Sequence, residues 1–217
     1  MAPVVTDFLQ AVVFGLVEGS VVSVGAVGLT LSYGVTRFIN FAYGEFLAYG
    51  AFLALFLSGA VAGGAIPLPV AALVAVSVAT MLGVHFLLQR TMLGKTMRAT
   101  SGNRSLAEVA GIDTDAVIRK TWFISAAAGG LAGILYGVLF APFRPTFGFG
   151  YLIVVFAATL LGGIGRPYGA MLGAVLIGLM ISLGSTYLSA SYDQAYAFIA
   201  LVAVLLVRPE GIRGGEF

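Results

Sequence analysis

The chain has 217 residues, of which 60% are hydrophobic and only 9% are charged, and its mean hydropathy is +1.05. A soluble domain needs more polar residues to cover its surface, so this composition indicates a membrane protein. The net charge of +2 does not suggest nucleic-acid binding. The absence of cysteine, together with a single histidine, argues against disulfides, iron–sulfur clusters and cysteine–histidine zinc sites.

The hydrophobic runs are long and continuous, which is typical of membrane-spanning helices and not of the alternating strands of a barrel. We therefore expect an all-α, polytopic transmembrane bundle that forms a single domain over residues 1–217. Seven hydrophobic segments are predicted, at roughly 8–32, 46–63, 66–90, 121–141, 149–164, 170–188 and 192–207. The fifth and the seventh are short for a crossing of ~20 residues, so the sequence leaves open whether they span fully, are broken or are re-entrant.

Lysine and arginine residues predict the orientation of the chain in the cell membrane. They are concentrated in a loop at about 91–120 and in the tail after residue 207. Because basic loops stay on the cytoplasmic side, we expect this loop and the C-terminus in the cytoplasm and the N-terminus outside. Arg144 fits this orientation least well, since it would lie outside.

Glycines recur at four-residue spacing, as they do at interfaces between helices in lipid. The stripes are Gly15 and Gly19; Gly129, Gly133 and Gly137; and Gly165, Gly169 and Gly173. We interpret them first as packing faces and second as the lining of a pathway. The stretch 162–169 should also bend, because Pro167 cannot continue a helical hydrogen-bond ladder.

Glu18 lies near the middle of the first hydrophobic segment, where a carboxylate is costly. The functional interpretation is a partner for a substrate amine, or a proton site. The structural interpretation is a glutamate that is protonated, or that is bonded to Ser20 or to a neighbouring helix. Either way, the side chain should face the bundle interior or water.

A polar turn between Tyr33 and Glu45 separates the first two segments and contains Arg37 and Asn40. One interpretation is an irregular element that lines a cavity at membrane depth. The other is an interfacial loop in which Arg37 reaches the headgroups and Glu45 caps the next helix.

No residue pattern indicates catalysis or a metal site. His85 is the sole histidine, a His-Glu-x-x-His pattern is lacking, and the serines have no recognisable nucleophile setting. We therefore expect no enzyme activity, no cofactor and no metal, and we interpret His85 as a hydrogen-bonded packing residue.

The cytoplasmic loop has a helical pattern of its own. Asn103 is a suitable N-cap for a short helix through Ala110, with Gly111 as its C-terminal stop. Leu106, Val109 and Ala110 would lie on one side of this helix, which suits docking into a groove of a soluble partner. The alternative is a helix that lies on the lipid headgroups.

Three stretches of the chain follow the motifs of one transporter family in the right order. They are GLTLSYG at 28–34 with INFAYGE at 39–45; LGKTMRA at 93–99 with Ala107, Gly111 and Ile112; and LGGIG at 161–165 with Gly169, Ala170 and RPEG at 208–211. Together they resemble the permease subunits of branched-chain amino acid ABC importers, the LivH-like family. The second stretch is similar to the family's cytoplasmic coupling loop.

The resemblance implies a translocation subunit of an ATP-driven importer for branched-chain amino acids or related small solutes. It implies cytoplasmic ATPase subunits, a second permease subunit that is related or identical, and an extracytoplasmic solute-binding protein as partners. The loop that contacts the ATPase would comprise Asn103, Leu106, Ala107, Glu108, Ala110 and Gly111. A zwitterion also needs a few polar groups along an apolar path, for which the candidates are Glu18, Tyr33, Asn40 and Tyr43.

The chain departs from the family pattern in several places. Tyr43 stands where histidine is usual, residues 105–107 replace a Glu-Ala-Ala-like core, and Glu18 stands where an apolar residue is expected. Family members usually have further hydrophobic sequence before the coupling loop, so this chain is shortened there. Two alternatives stay open: a self-sufficient channel or secondary transporter with Glu18 as its ion or proton site, and a membrane assembly subunit that does not transport.

Overall fold

The computed structural model describes residues 2–62, 69–140, 144, 146–207 and 211, with side chains for all of these except 2–5 and 57–62. This part of the chain forms helices and short helical turns and contains no strand, which confirms the all-α class. The α-helices are α1 (Ala2–Thr36), α2 (Tyr43–Ala62), α3 (Val70–Arg90), α4 (Met92–Gly102), α5 (Arg104–Val109), α6 (Thr114–Phe140), α7 (Phe147–Gly162), α8 (Pro167–Gly184) and α9 (Asp193–Val207).

Seven of these helices occupy the predicted hydrophobic segments, and α4 and α5 lie in the predicted loop. Four stretches of the described residues are long and apolar enough to cross a membrane, namely 6–36, 70–90, 114–140 and 167–207. α2 and α7 contribute shorter apolar helices. The predicted polytopic bundle is therefore confirmed.

α8 and α9 form a helical hairpin within the 167–207 stretch, joined by a turn at 185–192. Gln194, at the start of α9, packs against Gly150 near the start of α7. Beyond the other end of α9, a Cβ at Gly211 would lie 2.8 Å from the Gly163 nitrogen, just past the end of α7. α9 therefore runs beside α7 in the same direction, and α8 runs in the opposite direction.

α1 runs through the centre of the bundle. Residues 19–32 are all buried, as expected for a helix that is apolar on every side. It packs most extensively on α8, where a Cβ at Gly19 would lie 2.8 Å from Val175 Cα and one at Gly15 would lie 2.9 Å from Leu179 Cα. Close van der Waals contact of this kind holds helices together in lipid, so the predicted packing role of this stripe is confirmed.

α2 crosses α6 at a second glycine-lined contact. A Cβ at Gly133 would overlap the carbonyl oxygen of Leu47, and one at Gly50 would overlap that of Gly130. Gly129 leaves room for the ring of a buried tyrosine from α2. The predicted glycine stripe on α6 is thus a packing face against α2.

The predicted bend between α7 and α8 is also confirmed. α7 ends at Gly162 and α8 begins at Pro167, and between them Gly163 and Gly165 have φ angles of +103° and +83°. Glycine adopts such left-handed angles without steric cost. The backbones of Gly162 and Gly169 touch, so the two helices leave the turn side by side.

α4 and α5 lie together at one end of the bundle, which we call the loop end. The sequence does not predict α4, which forms because it is capped and packed. Thr91 caps it by accepting a hydrogen bond from the Gly94 N–H at 3.1 Å. Met97 joins Leu31 of α1 and Leu88 of α3 in a small core cluster. α4 is therefore a fixed support for α5.

Candidate functional site

A cavity of about 380 Å³ lies at the end of the bundle opposite the loop end. It is bounded by the first half of α1, the ends of α6 and α8 and the start of α9. Asp7, Glu18 and Asp193 line it with carboxylates, and its described lining contains no lysine, arginine or histidine. We call it the acidic cavity. Its charge suits a cation or the ammonium group of a zwitterion.

Glu18 is partly buried in the wall of this cavity. Ser20, the partner that the sequence suggests, instead donates its hydroxyl to the Val17 carbonyl at 2.7 Å. In the described part of the chain no hydrogen bond or ion pair engages the Glu18 carboxylate. An ionisable group at this depth that faces a cavity is a functional candidate by default.

The turn between α8 and α9 lines part of the acidic cavity. The Ser185 hydroxyl donates to the Asp193 carboxylate. The Tyr196 hydroxyl donates to the Ser189 carbonyl at 2.8 Å and accepts from the Ser189 N–H at 3.1 Å. The turn at 185–189 is π-helical, a conformation that is frequent at functional sites. Asp193 is not among the site residues that the sequence predicts. A carboxylate near the start of the last apolar segment is the signal that could have indicated it.

The structure does not bring the four candidate path residues together. Glu18 and Tyr33 lie on one continuous helix, about 22 Å apart along its axis at 1.5 Å per residue. Tyr33 and Asn40 lie instead at the loop end. Asn40 is 6% exposed and its Nδ2 has no hydrogen-bond partner among the described residues. A place for Asn40 on a solute path therefore stays a prediction.

The turn that carries Asn40 is linked to α4. Arg37 has a φ of +55°, which is uncommon for a residue other than glycine. Its Nη2 donates to the Ser101 carbonyl at 2.9 Å. Glu45 lies in the first turn of α2, where a carboxylate is favourable, as the capping interpretation requires. The Arg37 contact therefore connects the turn to the end of α4.

Tyr43 and His85 take part in contacts between helices. Tyr43 is fully buried and its hydroxyl donates to the Gly25 carbonyl at 2.9 Å. It therefore holds α2 against α1 and does not line the acidic cavity. His85 Nδ1 lies 2.8 Å from the Tyr168 hydroxyl, so it forms a hydrogen bond from α3 to α8.

The short helix α5 is capped as the sequence predicts. The Asn103 side chain accepts a hydrogen bond from the Leu106 N–H at 3.0 Å. At the other end Gly111 has a φ of +83°. The N–H groups of Gly111 and of the residue after it donate to the Glu108 and Ala107 carbonyls at 3.0 Å. This paired pattern is the Schellman motif that ends many helices.

Glu108 fastens α5 to the start of α6. Its carboxylate accepts a hydrogen bond from the Thr114 hydroxyl at 2.6 Å and pairs with Arg104 at 2.9 Å. Arg104 also pairs with Asp115 at 2.8 Å. The Thr114 hydrogen bond, followed by the Arg104 contact, lowers the pKa of Glu108. Because these groups are exposed, the network fixes the orientation of α5 more than it adds stability.

One face of α5 is apolar and open to solvent. Leu106 is 66% exposed and Val109 is 85% exposed, with Ala110 beside them. Ala107 is 4% exposed and belongs to the opposite, packed side. The predicted one-sided apolar face is therefore present, and Ala107 lies outside it.

Comparison with known proteins shows what this bundle is related to. A family model described as the branched-chain amino acid transport system / permease component matches residues 60–207, the region from the end of α2 to the end of α9. The chain belongs to this family.

Curated relatives of the chain are named as branched-chain amino acid permeases. The chain is 38% identical over 134 residues to the LivH permease of Escherichia coli K12, covering 62% of this chain and 44% of that protein. It is 36% identical over 134 residues to BraD of Pseudomonas aeruginosa, with the same two coverages of 62% and 44%. It is 34% identical over 148 residues to a probable LivH of Methanocaldococcus jannaschii, covering 63% and 45%. The match thus spans less than half the length of these relatives, and no solved structure matches the chain.

Proposed function

We propose that this protein is the membrane-embedded translocation subunit of an ATP-driven importer for branched-chain amino acids or related small solutes. The match of residues 60–207 to the permease family carries this proposal. Alternating access would expose a path through the bundle first to the outside and then to the cytoplasm. The chain would not itself be an enzyme, because ATP hydrolysis would belong to partner subunits.

The acidic cavity would receive the ammonium group of an arriving amino acid. The carboxyl groups of Glu18 and Asp193 lie there, and Phe14, Phe140 and Ile181 supply apolar wall for the side chain. At the loop end, the amide of Asn40 would assist as the solute leaves. Tyr33 would lie beside that exit, and Tyr43 would act by holding α2 in place.

The apolar face of α5 would dock into a cytoplasmic ATPase subunit. Leu106 and Val109 are the exposed apolar side chains that support this assignment. A push on α5 would reach α4, and the hydrogen bond from Arg37 to Ser101 would carry it to the turn before α2. The loop end would then face the cytoplasm, with the N-terminus outside and the C-terminus inside.

A second, related or identical permease subunit and an extracytoplasmic solute-binding protein would complete the importer. Co-purification tests this assembly. The tagged chain, expressed together with the ATPase subunits and the solute-binding protein of its source organism, should retain the ATPase subunits in detergent. Leu106→Asp should release them, whereas Ser105→Asp on the adjacent position should retain them. Purification without any ATPase subunit would contradict the proposal.

A self-sufficient secondary transporter is the second candidate. It is favoured by Glu18, an unpaired carboxylate of the described bundle in the wall of a cavity. In that case the chain alone should take up leucine in proteoliposomes under an imposed proton gradient, and Glu18→Gln should abolish the uptake. No uptake without ATPase subunits would exclude it.

A further inference from the structure

A second cavity, of about 530 Å³, lies at the loop end. The end of α1, the end of α3, α4 and the turn between α7 and α8 bound it. Arg98 and Arg166 are among its lining residues, and no aspartate or glutamate of the described chain lines it. We call it the basic cavity. Its charge is opposite to that of the acidic cavity at the other end of α1.

The start of α8 adds hydrogen-bond donors to this cavity. Pro167 is the first residue of α8, and the N-cap Arg166 makes no capping hydrogen bond with its side chain. The first hydrogen bond of α8 runs from the Ala170 N–H to the Arg166 carbonyl at 3.0 Å. The N–H groups of Tyr168 and Gly169, both at the cavity wall, come before that donor and have no acceptor within the helix, so they are available to an anion. The positive end of the helix dipole adds to this preference.

Thr30 is independent evidence that a polar ligand belongs here. It lines the basic cavity, its side chain is fully buried, and its hydroxyl has no hydrogen-bond partner among the described residues. An unpaired buried hydroxyl is costly, so such groups normally have a partner. A ligand in the cavity would supply one.

The remaining wall of the basic cavity is apolar. Leu31, Val35, Leu88 and Met97 line it. A ligand that fits therefore has a small anionic group and an aliphatic body. The volume also lies within the range of pockets that hold small molecules.

We propose that the basic cavity binds the carboxylate of a small aliphatic amino acid on its way to the cytoplasm. The carboxylate would lie against Arg98, Arg166 and the start of α8, and the aliphatic body against α1 and α3. This inference rests on the proposed function and extends it to a second binding site and to the orientation of the solute. Glu18 and Thr30 are about 18 Å apart along α1, so the two cavities hold one solute in succession, amine first and carboxylate last.

The test separates the two ends of the ligand. The purified chain in phosphatidylcholine nanodiscs is titrated with leucine, with 4-methylpentanoate, which lacks the amine, and with 3-methylbutylamine, which lacks the carboxylate. Saturation-transfer NMR gives each Kd. Arg166→Gln should weaken 4-methylpentanoate binding at least tenfold, and Thr30→Val about fivefold. Glu18→Gln should instead weaken 3-methylbutylamine binding.

Thr100→Val is the matched control, because Thr100 is also a buried hydroxyl without a partner among the described residues but lies outside the lining of the basic cavity. It should leave the Kd unchanged. Retention of the unfolding temperature in Thr30→Val separates loss of binding from loss of fold. Unchanged 4-methylpentanoate binding in both Arg166→Gln and Thr30→Val would overturn the proposal.

Two further arms identify the source of the anion. Inorganic phosphate that competes as well as 4-methylpentanoate would overturn carboxylate recognition. Loss of 4-methylpentanoate binding in phosphatidylglycerol nanodiscs would assign the cavity to a lipid headgroup. Normal leucine uptake together with unchanged 4-methylpentanoate binding in Arg166→Gln and Thr30→Val would exclude the basic cavity as a binding site. The proposed importer function would still stand. If 4-methylpentanoate binding depends on Arg166 but the chain never supports transport, the binding site stands and the proposed importer function is excluded.

Discussion

Gly133→Ala should destabilise the bundle at the crossing of α2 and α6. The added Cβ would overlap the Leu47 carbonyl oxygen and would lie 3.0 Å from Leu47 Cα. Both atoms belong to the backbone of α2, so they cannot rotate away and the whole helix has to move. Overpacking of this kind costs about 3 kcal/mol, and the higher helix propensity of alanine returns about 1 kcal/mol.

The net loss of about 2 kcal/mol corresponds to a fall in Tm of about 4–8 °C for a chain of this size. The single tryptophan, Trp122 on α6, reports thermal unfolding by its fluorescence. Gly83→Ala is the matched control, because a Cβ at Gly83 of α3 meets nothing within 4 Å. It should raise Tm slightly or leave it unchanged. Equal Tm values for Gly133→Ala and Gly83→Ala would refute the packing argument.

Three further outcomes are expected. Leu106→Asp combined with Val109→Asp removes the exposed apolar face of α5. The double variant should still insert into the membrane, but ATP hydrolysis in a reconstituted complex should be uncoupled from uptake. Unchanged coupling would argue against docking through α5. Cysteine at Ser105, which is exposed on α5, should react with an impermeant maleimide only in inside-out vesicles; labelling of intact cells would reverse the orientation. Asn40→Leu should abolish leucine uptake at a normal subunit level, because the buried amide donor is removed. Full uptake would show that Asn40 has no part in the transport path. Loss of the protein itself would show that Asn40 has a structural role.

The sequence predicts the helices well because their signals are local. Apolar length defines the spans, and Asn103 and Gly111 mark the ends of α5 through their own backbone and side-chain chemistry. α6 begins earlier than predicted, at Thr114, because the Asp113 side chain accepts a hydrogen bond from the Ala116 N–H at 2.8 Å and starts a polar first turn.

α4 is not predicted because its local sequence does not favour a helix. Gly94 and Gly102 disfavour a helix in isolation. In the bundle, Gly94 instead permits contact with the backbone at the end of α3, and Met97 is buried. Tertiary packing therefore decides the structure of this segment.

The two cavities also depend on distant parts of the chain. Glu18 stands out in the sequence as a carboxylate within an apolar segment. Asp193 lines the same cavity only because α9 folds back beside α7. In the same way, Thr30 and Arg166 line one cavity only because the α7–α8 turn lies near the end of α1. No local pattern contains either pairing.

Uptake of labelled leucine by proteoliposomes is the most direct test of ATP-driven import through this chain. The chain is reconstituted with its ATPase subunits, its permease partner and the binding protein, with ATP or a non-hydrolysable analogue inside. Uptake is expected to require ATP hydrolysis, the binding protein and this chain together. Uptake by this chain alone, or equal uptake with the non-hydrolysable analogue, would contradict it.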